Sequence, residues 1–474
     1  MIRNSKNFIL PLAIALALPV QAQELDEATR IELLEQQLEQ QRAMIEQQQQ
    51  ALEAMQSELS RLKEARAEPV LTEPPARVYG NEADVWVTGV VVEGDEKPDW
   101  RPGLEIAGFV NLDMIYDFDR VAPVWKSTLV PSTIPTTPGE FGGDGEFIFS
   151  IKQSQMAFKS YMETPLGDLM GWIEFDLFGT QADAGNTAFN LRHAYFELGN
   201  WGAGQTWTTF MDISTWPNVW DWWGPSGMVL NRNPMLRYTL PLDDRGSHFA
   251  VALEQQNGSF NAGIFAELDQ ELVMSLAAKS EVPDLIARWR MERDWGHLQV
   301  AGVARHLAFE TLGSVDNRPR GTDFGWGFNV TGIFNVFGRD QIKYGLTFGE
   351  GIASFMNDGG GSNIVPELKG GVTREVALES IGYMLYYDHW WDDQWSSSIG
   401  ISQNDNKLTN LQLTDQADKI TYASTNLFYR PTDQLLVGIE ALYGKLEQAN
   451  GASGSDFRLQ FTTRYSFDHR FSAN

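Results

Sequence analysis

The stretch Leu104-Glu105-Ile106-Ala107-Gly108-Phe109-Val110-Asn111-Leu112-Asp113-Met114-Ile115-Tyr116-Asp117-Phe118 decides the fold. Leu104, Ile106, Val110, Leu112, Met114, Tyr116 and Phe118 fall on one face of an extended chain, and Glu105, Asn111, Asp113 and Asp117 on the other. Side chains alternate across a strand, so this segment offers one face to hydrocarbon and the other to water. A soluble sandwich strand has the same period; number and length separate the two readings. Segments of the same pattern recur near 147–163, 168–179, 188–199, 201–209, 234–241, 247–256, 284–293, 295–308, 323–335, 340–350, 378–389, 394–403, 418–429, 434–446 and 456–467. With the first they make about sixteen, too many long strands for a typical sandwich. The expected fold class is all-β, a transmembrane antiparallel β-barrel of sixteen strands over 104–474.

The connections check this independently. Short turns such as Pro165-Leu166-Gly167, Arg293-Asp294-Trp295-Gly296, Trp391-Asp392-Asp393 and Pro431-Thr432-Asp433 alternate with long excursions near 119–146, 210–233, 309–322, 351–377 and 404–417. Short periplasmic turns and long external loops are the outer-membrane pattern, and this parity puts both barrel ends on the periplasmic side. The segment 259–266 is assigned to a loop, because as a wall strand it would make the count odd; eighteen strands is the alternative. In the closing strand Phe457, Leu459, Phe461, Tyr465 and Phe467 face one way and Arg458, Gln460, Thr462, Arg464 and Ser466 the other, with Phe471-Ser472-Ala473-Asn474 placed beyond it.

Upstream, Arg3 and Lys6 precede an apolar run from Phe8 to Val20 that closes on Val20-Gln21-Ala22. The run is shorter than the roughly 20 residues a spanning helix needs, and it ends on small residues, as a cleaved signal peptide over 1–22 does. From Ile31 a heptad follows: Ile31, Leu38, Ile45, Leu52 and Leu59 in one register, Leu34, Met55 and Leu62 in the other, with Gln41 and Gln48 in the remaining core slots. A sustained 3.5-residue repeat predicts a left-handed coiled coil over 23–66, and the buried Gln layers restrict partner number and register. Pro69, Pro74 and Pro75 stop it, and 67–103 reads as a linker; its apolar stretch at 85–92 has no assigned role.

Composition excludes other classes. Without Cys there is no disulfide framework, thiolate metal site or thiol nucleophile. Loss of Arg3 and Lys6 with the signal takes the net charge from −27 to −29, which disfavours a nucleic-acid partner. The 16 Trp, 13 Tyr and 27 Phe are expected to supply interfacial girdles. No stretch of 18 apolar residues follows the signal, so an integral membrane protein of this sequence spans with strands. There is no Gly-x-Ser-x-Gly elbow, no His-Glu-x-x-His and no clustered metal-ligand spacing, so neither an enzyme nor a metal or cofactor is expected.

The run Leu191-Arg192-His193-Ala194-Tyr195, the block Gly204-Gln205-Thr206-Trp207-Thr208-Thr209-Phe210-Met211-Asp212, and then Gly224-Pro225 and Arg237-Tyr238-Thr239 resemble the DcaP-like outer-membrane porin family. So do Pro283-Asp284-Leu285-Ile286-Ala287-Arg288 and Trp295-Gly296-His297-Leu298-Gln299-Val300-Ala301-Gly302. The resemblance covers nearly the whole mature chain, with a departure at Gln153-Ser154-Gln155-Met156, where an Arg is expected after the Ser. It implies a trimeric outer-membrane channel of sixteen strands that passes small anionic solutes, dicarboxylates in the best-known members. A phosphate- or sugar-selective porin of similar architecture is the alternative. The partners implied are two further copies of the chain, outer-membrane lipids, small anionic solutes, and periplasmic or cell-wall contacts through the coiled coil.

Phase read from apolar neighbours puts Arg237, Arg288, Arg290, Arg305, Arg458 and Arg464 on the polar face, as candidate lining of the solute path. Glu105, Asp113, Glu174, Asp176 and Glu440 share that face. Segregated charge of this kind steers an anion along the Arg side; alternatively, the arginines neutralise lumen acids and stiffen the wall. At Arg192 and His193 the alternation does not decide which points inward. The excursion 211–233 follows the fifth strand and is the third external loop, a candidate constriction carrying Asp212, Trp216, Trp220, Asp221, Trp222, Trp223 and Arg232. Its tryptophans either form a sliding surface or anchor the loop to the wall.

The heptad generates a prediction. The 24–66 peptide associates, and charged residues at Leu38 and Ile45 make it monomeric. Sedimentation at high micromolar concentration checks this, and a monomeric parent peptide removes the oligomerisation reading.

Overall fold

Period-two segments joined by short turns can close only by pairing the last strand with the first, and they do. The computed structural model describes residues 102–179 and 187–472, together with Glu39. The signal, the coiled coil apart from Glu39, and the linker up to Arg101 lie outside the described residues. The strands are β1 (Gly103–Asp117), β2 (Glu146–Ser150), β3 (Gln155–Thr164), β4 (Gly167–Asp176), β5 (Asn190–Leu198), β6 (Trp201–Trp207), β7 (Arg232–Pro241) and β8 (His248–Glu254). There follow β9 (Leu276–Lys279), β10 (Asp284–Arg293), β11 (Gly296–Thr311), β12 (Gly321–Asn335), β13 (Gln341–Glu350), β14 (Ile364–Lys369) and β15 (Val372–Ala377). The last five are β16 (Glu379–Trp390), β17 (Trp395–Lys407), β18 (Ala417–Thr432), β19 (Leu435–Gln448) and β20 (Ser453–Ser472).

Among the described residues, 18 of these segments form one antiparallel sheet, while β14 and β15 form a separate hairpin in the sixth loop. The sheet has sixteen wall strands, because β2 and β3 both pair with β1, and β9 and β10 both with β11. Closure is made by β1 on β20, from Gly103 opposite Ser472 to Asp117 opposite Arg458. This settles the count against eighteen. Residues 259–266 stay out of the wall: Phe260 makes an isolated bridge to Ile364, and short helices at Phe265–Leu268 and Gln270–Ser275 follow.

Two boundaries differ from the sequence reading. The expected strand at 147–163 is broken at 151–154, where Lys152 and Gln153 are both buried and the alternation slips. The closing strand is longer than expected and includes Phe471, which pairs with Leu104; β1 starts at Gly103 and supplies hydrogen-bond partners as far as Ser472.

The faces sort by solvent. Val110, Phe149, Ile173, Leu253, Leu285, Ile399 and Ile439 stand exposed on the outer face, and Asn111, Asp113, Glu174, Asn329 and Gln460 are buried on the inner one. Outer aromatics pair at both ends: Trp201 with Tyr238 (4.9 Å), Trp295 with Phe334 (5.3 Å) and Trp395 with Tyr429 (4.5 Å) near the turns, and Phe118 with Phe457 (5.3 Å) near the loops. Tyr and Trp rings suit the headgroup region, apolar at one end and wet at the other.

The seam carries a buried ion pair: Arg458 holds Asp117 through Nε and Nη2, the latter at 2.8 Å. Removing one partner strands a charge, so Arg458→Met is expected to destabilise the folded barrel by about 3–5 kcal/mol, while Asp117→Leu with Arg458→Met recovers most of it. Urea midpoints in lipid bilayers check both.

Candidate functional site: the lumen and its third loop

The third loop (208–231) turns into the barrel after β6 and runs along the inner wall, meeting successive strands in order. Asp212 accepts hydrogen bonds from Thr331 of β12 (2.9 Å), Arg290 of β10 (2.8 Å) and Ser214 of the loop itself (2.5 Å), and it also lies against His297 of β11 (2.7 Å). The Trp216 carbonyl accepts from Lys343 of β13 (2.6 Å). The Asn218 amide donates to both oxygens of Asp388 on β16 (3.2 and 3.1 Å), its side chain to Ser396 of β17 (3.2 Å), and its carbonyl accepts from Asn426 of β18 (2.7 Å). The amides of Trp220 and Asp221 donate to Glu440 of β19 (3.0 and 2.9 Å). At Gly227 the backbone lies so close to the wall that a Cβ would fall 2.1 Å from the Gln403 carbonyl, which explains a glycine there.

Inward carboxylates are therefore fasteners. Asp388 and Glu440 hold the loop, while Asp113 accepts from Gln153 (3.0 Å), Gln460 (3.1 Å) and Thr462 (2.6 Å). Burial alone would raise the Asp212 carboxyl, but His297 and Arg290 outweigh it and hold it well below the ordinary carboxylate range. Apolar packing adds to the fastening: Phe210, Met211, Trp216, Val219, Met228 and Val229 bury against Ile286, Val303, Met384 and Tyr386.

The wall that the loop leaves uncoated carries cations. A register shift at Glu174/Phe175 sets His193 opposite Glu174 and Leu191 opposite Phe175, leaving Arg192 as the extra residue of a bulge. Arg192 and His193 are both buried on the lumen side, which resolves the ambiguity of the sequence pattern. Arg192 is held by Glu174 (2.8 Å) and Asp176 (3.0 Å), and His193 stacks on Trp172 (3.9 Å) beside Thr206 (3.0 Å). Gln205 Nε2 donates to the Leu191 and Arg192 carbonyls (3.2 and 3.3 Å), so the Gly-Gln-Thr-Trp block is what supports the bulge.

The candidate residues are placed as follows. Arg237 pairs with Glu197 (3.1 Å), and Arg290 with Asp212 and Glu292. Arg288 lies between them on the inner face of the same wall. Arg305 is buried against Asp284 (3.1 Å), and Arg458 against Asp117. Arg464 bonds Asn111 (3.1 Å) and is sandwiched between Phe109 (3.8 Å) and Trp220 (4.1 Å). Asp221 accepts from Thr128 (2.8 Å) and the Leu129 amide (2.9 Å), tying the first loop to the third. Trp222 stacks on Phe178 (4.0 Å), Trp223 meets Trp125 (5.1 Å), and Arg232 lies over Trp207 (4.5 Å). Arg192, Arg232 and Arg464 line one cavity of about 340 Å³ with Trp216, Trp220, Asp221, Trp222 and Trp223. Gln155, where the resemblance leads one to expect Arg, lines it too. The charge of Arg192 in this cavity is the feature that sequence alternation missed.

A closed sixteen-stranded barrel with a lipid-facing exterior, a polar interior and an infolded third loop is an outer-membrane porin. Residues 104–467 match the family described as DcaP outer membrane protein, and the chain belongs to that family. The crystal structure of the outer-membrane channel DcaP of Acinetobacter baumannii superposes with a TM-score of 0.66 at 19% identity, over 78% of this chain and 99% of that one. An anion-selective porin from Comamonas acidovorans gives 0.51 at 11% identity, over 77% of this chain and 100% of that one. No curated protein matches the chain.

The loop's acidic anchors generate a prediction. Each charged hydrogen bond contributes about 1.5–3 kcal/mol, so Asp388→Ala with Glu440→Ala is expected to release the third loop from β16–β19. Single-channel recording then shows higher conductance and more current noise than in the parent.

Proposed function

We propose that the protein is a non-catalytic diffusion channel for small anionic solutes such as dicarboxylates. We further propose that it works as a trimer and that a periplasmic coiled coil follows its cleaved signal. The observation carrying this reading is a division of the lumen. On one side the acids Asp388 and Glu440 lie beneath the third loop; on the other, Arg192, Arg232, Arg237 and Arg288 stand along the wall beyond it, with Arg290 held by Asp212 of the loop. A solute meets the charges left facing the path, and those within about 10 Å act on it at 0.1 M salt. Sugar passage has less support, because Trp220 and Trp222 spend ring faces on Arg464 and Phe178.

Reversal potentials in planar bilayers under a potassium chloride gradient test the reading. The channel is expected to prefer chloride and to pass succinate; a preference for potassium overturns it. Arg464→Gln is expected to lower the anion preference by up to roughly fivefold, the value of about 1 kcal/mol for one nearby charge in water. The lipid-facing Leu236→Ala leaves it unchanged.

A further inference from the structure

The lumen arginines differ in what they already hold. Arg192 is paired with two carboxylates, Arg237 with Glu197, Arg290 with Asp212 and Glu292, Arg305 with Asp284 and Arg458 with Asp117, although Arg237 Nε and Arg458 Nη1 are also buried without a hydrogen-bond partner. Arg464 has two amide partners, Asn111 and Gln153. Among the described residues, the side chains of Arg232 and Arg288 make no hydrogen bond or ion pair, and Nη1 of the first and Nε of the second are buried without a partner. A guanidinium presents five donors and no acceptor, and leaving it largely out of water without a directly bonded carboxylate is costly. The charges around them are mixed: Arg192 opposes Arg232 while Asp176 and Glu174 favour it at a distance, and Arg237 and Arg290 oppose Arg288 while Asp212 favours it.

On the reading of the channel as an anion path, we propose that Arg232 and Arg288 are its two anion-binding stations, each taking a carboxylate from solution, while the other lumen arginines maintain the field and the wall. Arg232 sits at the loop end of β7 in the tryptophan-lined cavity, its guanidinium set by the Trp207 ring. Arg288 stands opposite Ala250 of β8, which in turn stands opposite Thr239 of β7. From residue 232 to residue 239 the strand advances about 23 Å. A four-carbon dicarboxylate is much shorter than that, so it visits the stations in turn. Neither is saturated by the protein, so each releases its guest as readily as water and the next anion replace it, the condition for conduction through successive sites.

Block of chloride current by added succinate, measured on the full-length channel in planar bilayers, tests the assignment. The parent is expected to show two saturable components. Arg232→Gln removes one and Arg288→Gln the other, each raising the corresponding half-blocking concentration about tenfold, as loss of one charge-assisted contact does. Arg237→Gln removes the same formal charge from a residue that already has a carboxylate, and shifts block less than threefold. Arg232→Lys and Arg288→Lys, which keep the charge and the fold, give intermediate shifts. Heat-modifiable electrophoretic mobility confirms that each variant is folded. Equal shifts for Arg237→Gln and Arg288→Gln show that total charge alone sets binding and overturn the stations, as does unchanged block in both Gln variants of a channel that still prefers chloride. A parent channel that prefers potassium fails the anion reading itself and is distinguished by the reversal potential.

Discussion

The rest of the structure depends on backbone satisfaction in hydrocarbon. No water reaches an amide or carbonyl at bilayer depth, so a strand can face lipid only if both its neighbours are strands and the sheet has no edge. The pairing of β1 with β20 meets that demand, and the Asp117–Arg458 pair ties the loop end of the seam from inside. Once the wall is closed, its two faces have different solvents, and every inward side chain must be satisfied by another inward group, by water or by solute.

That requirement organises the lumen. A polar interior facing one wide channel would leave acids and bases equally open to solutes. Instead the third loop supplies backbone amides to Asp388 and Glu440 and apolar rings to the clefts between them. The loop thus covers acids on one side, and on the other a bulge adds a guanidinium. Which inward groups find protein partners therefore decides which charges remain facing the path.

Much of this was legible in the sequence. Alternation from Leu104 to Phe118 and the turn parity were sufficient for the barrel and its sixteen strands, because lipid and water impose opposite demands on adjacent residues. They were insufficient wherever the period slips. Lys152 and Gln153 interrupt one strand, and the Arg192–His193 bulge turns two successive residues inward. A period-two reading has no phase at such points. The end of β20 is not legible in the local pattern either, since strand length depends on how far the partner extends. The third loop was identifiable by its place and its tryptophans. Its partners were not, because Asp388 and Glu440 read as lumen acids and only the folded chain shows what they bind.

The course of the third loop also orders events in time. Trp220 finds Glu440 across a separation of 220 residues, and Asn218 finds Asp388 across 170. Loop closure over such distances is slow relative to pairing of adjacent strands. The lining can dock only once β16 to β19 offer their anchors, so the lumen reaches its mature width no earlier than the wall that receives the loop.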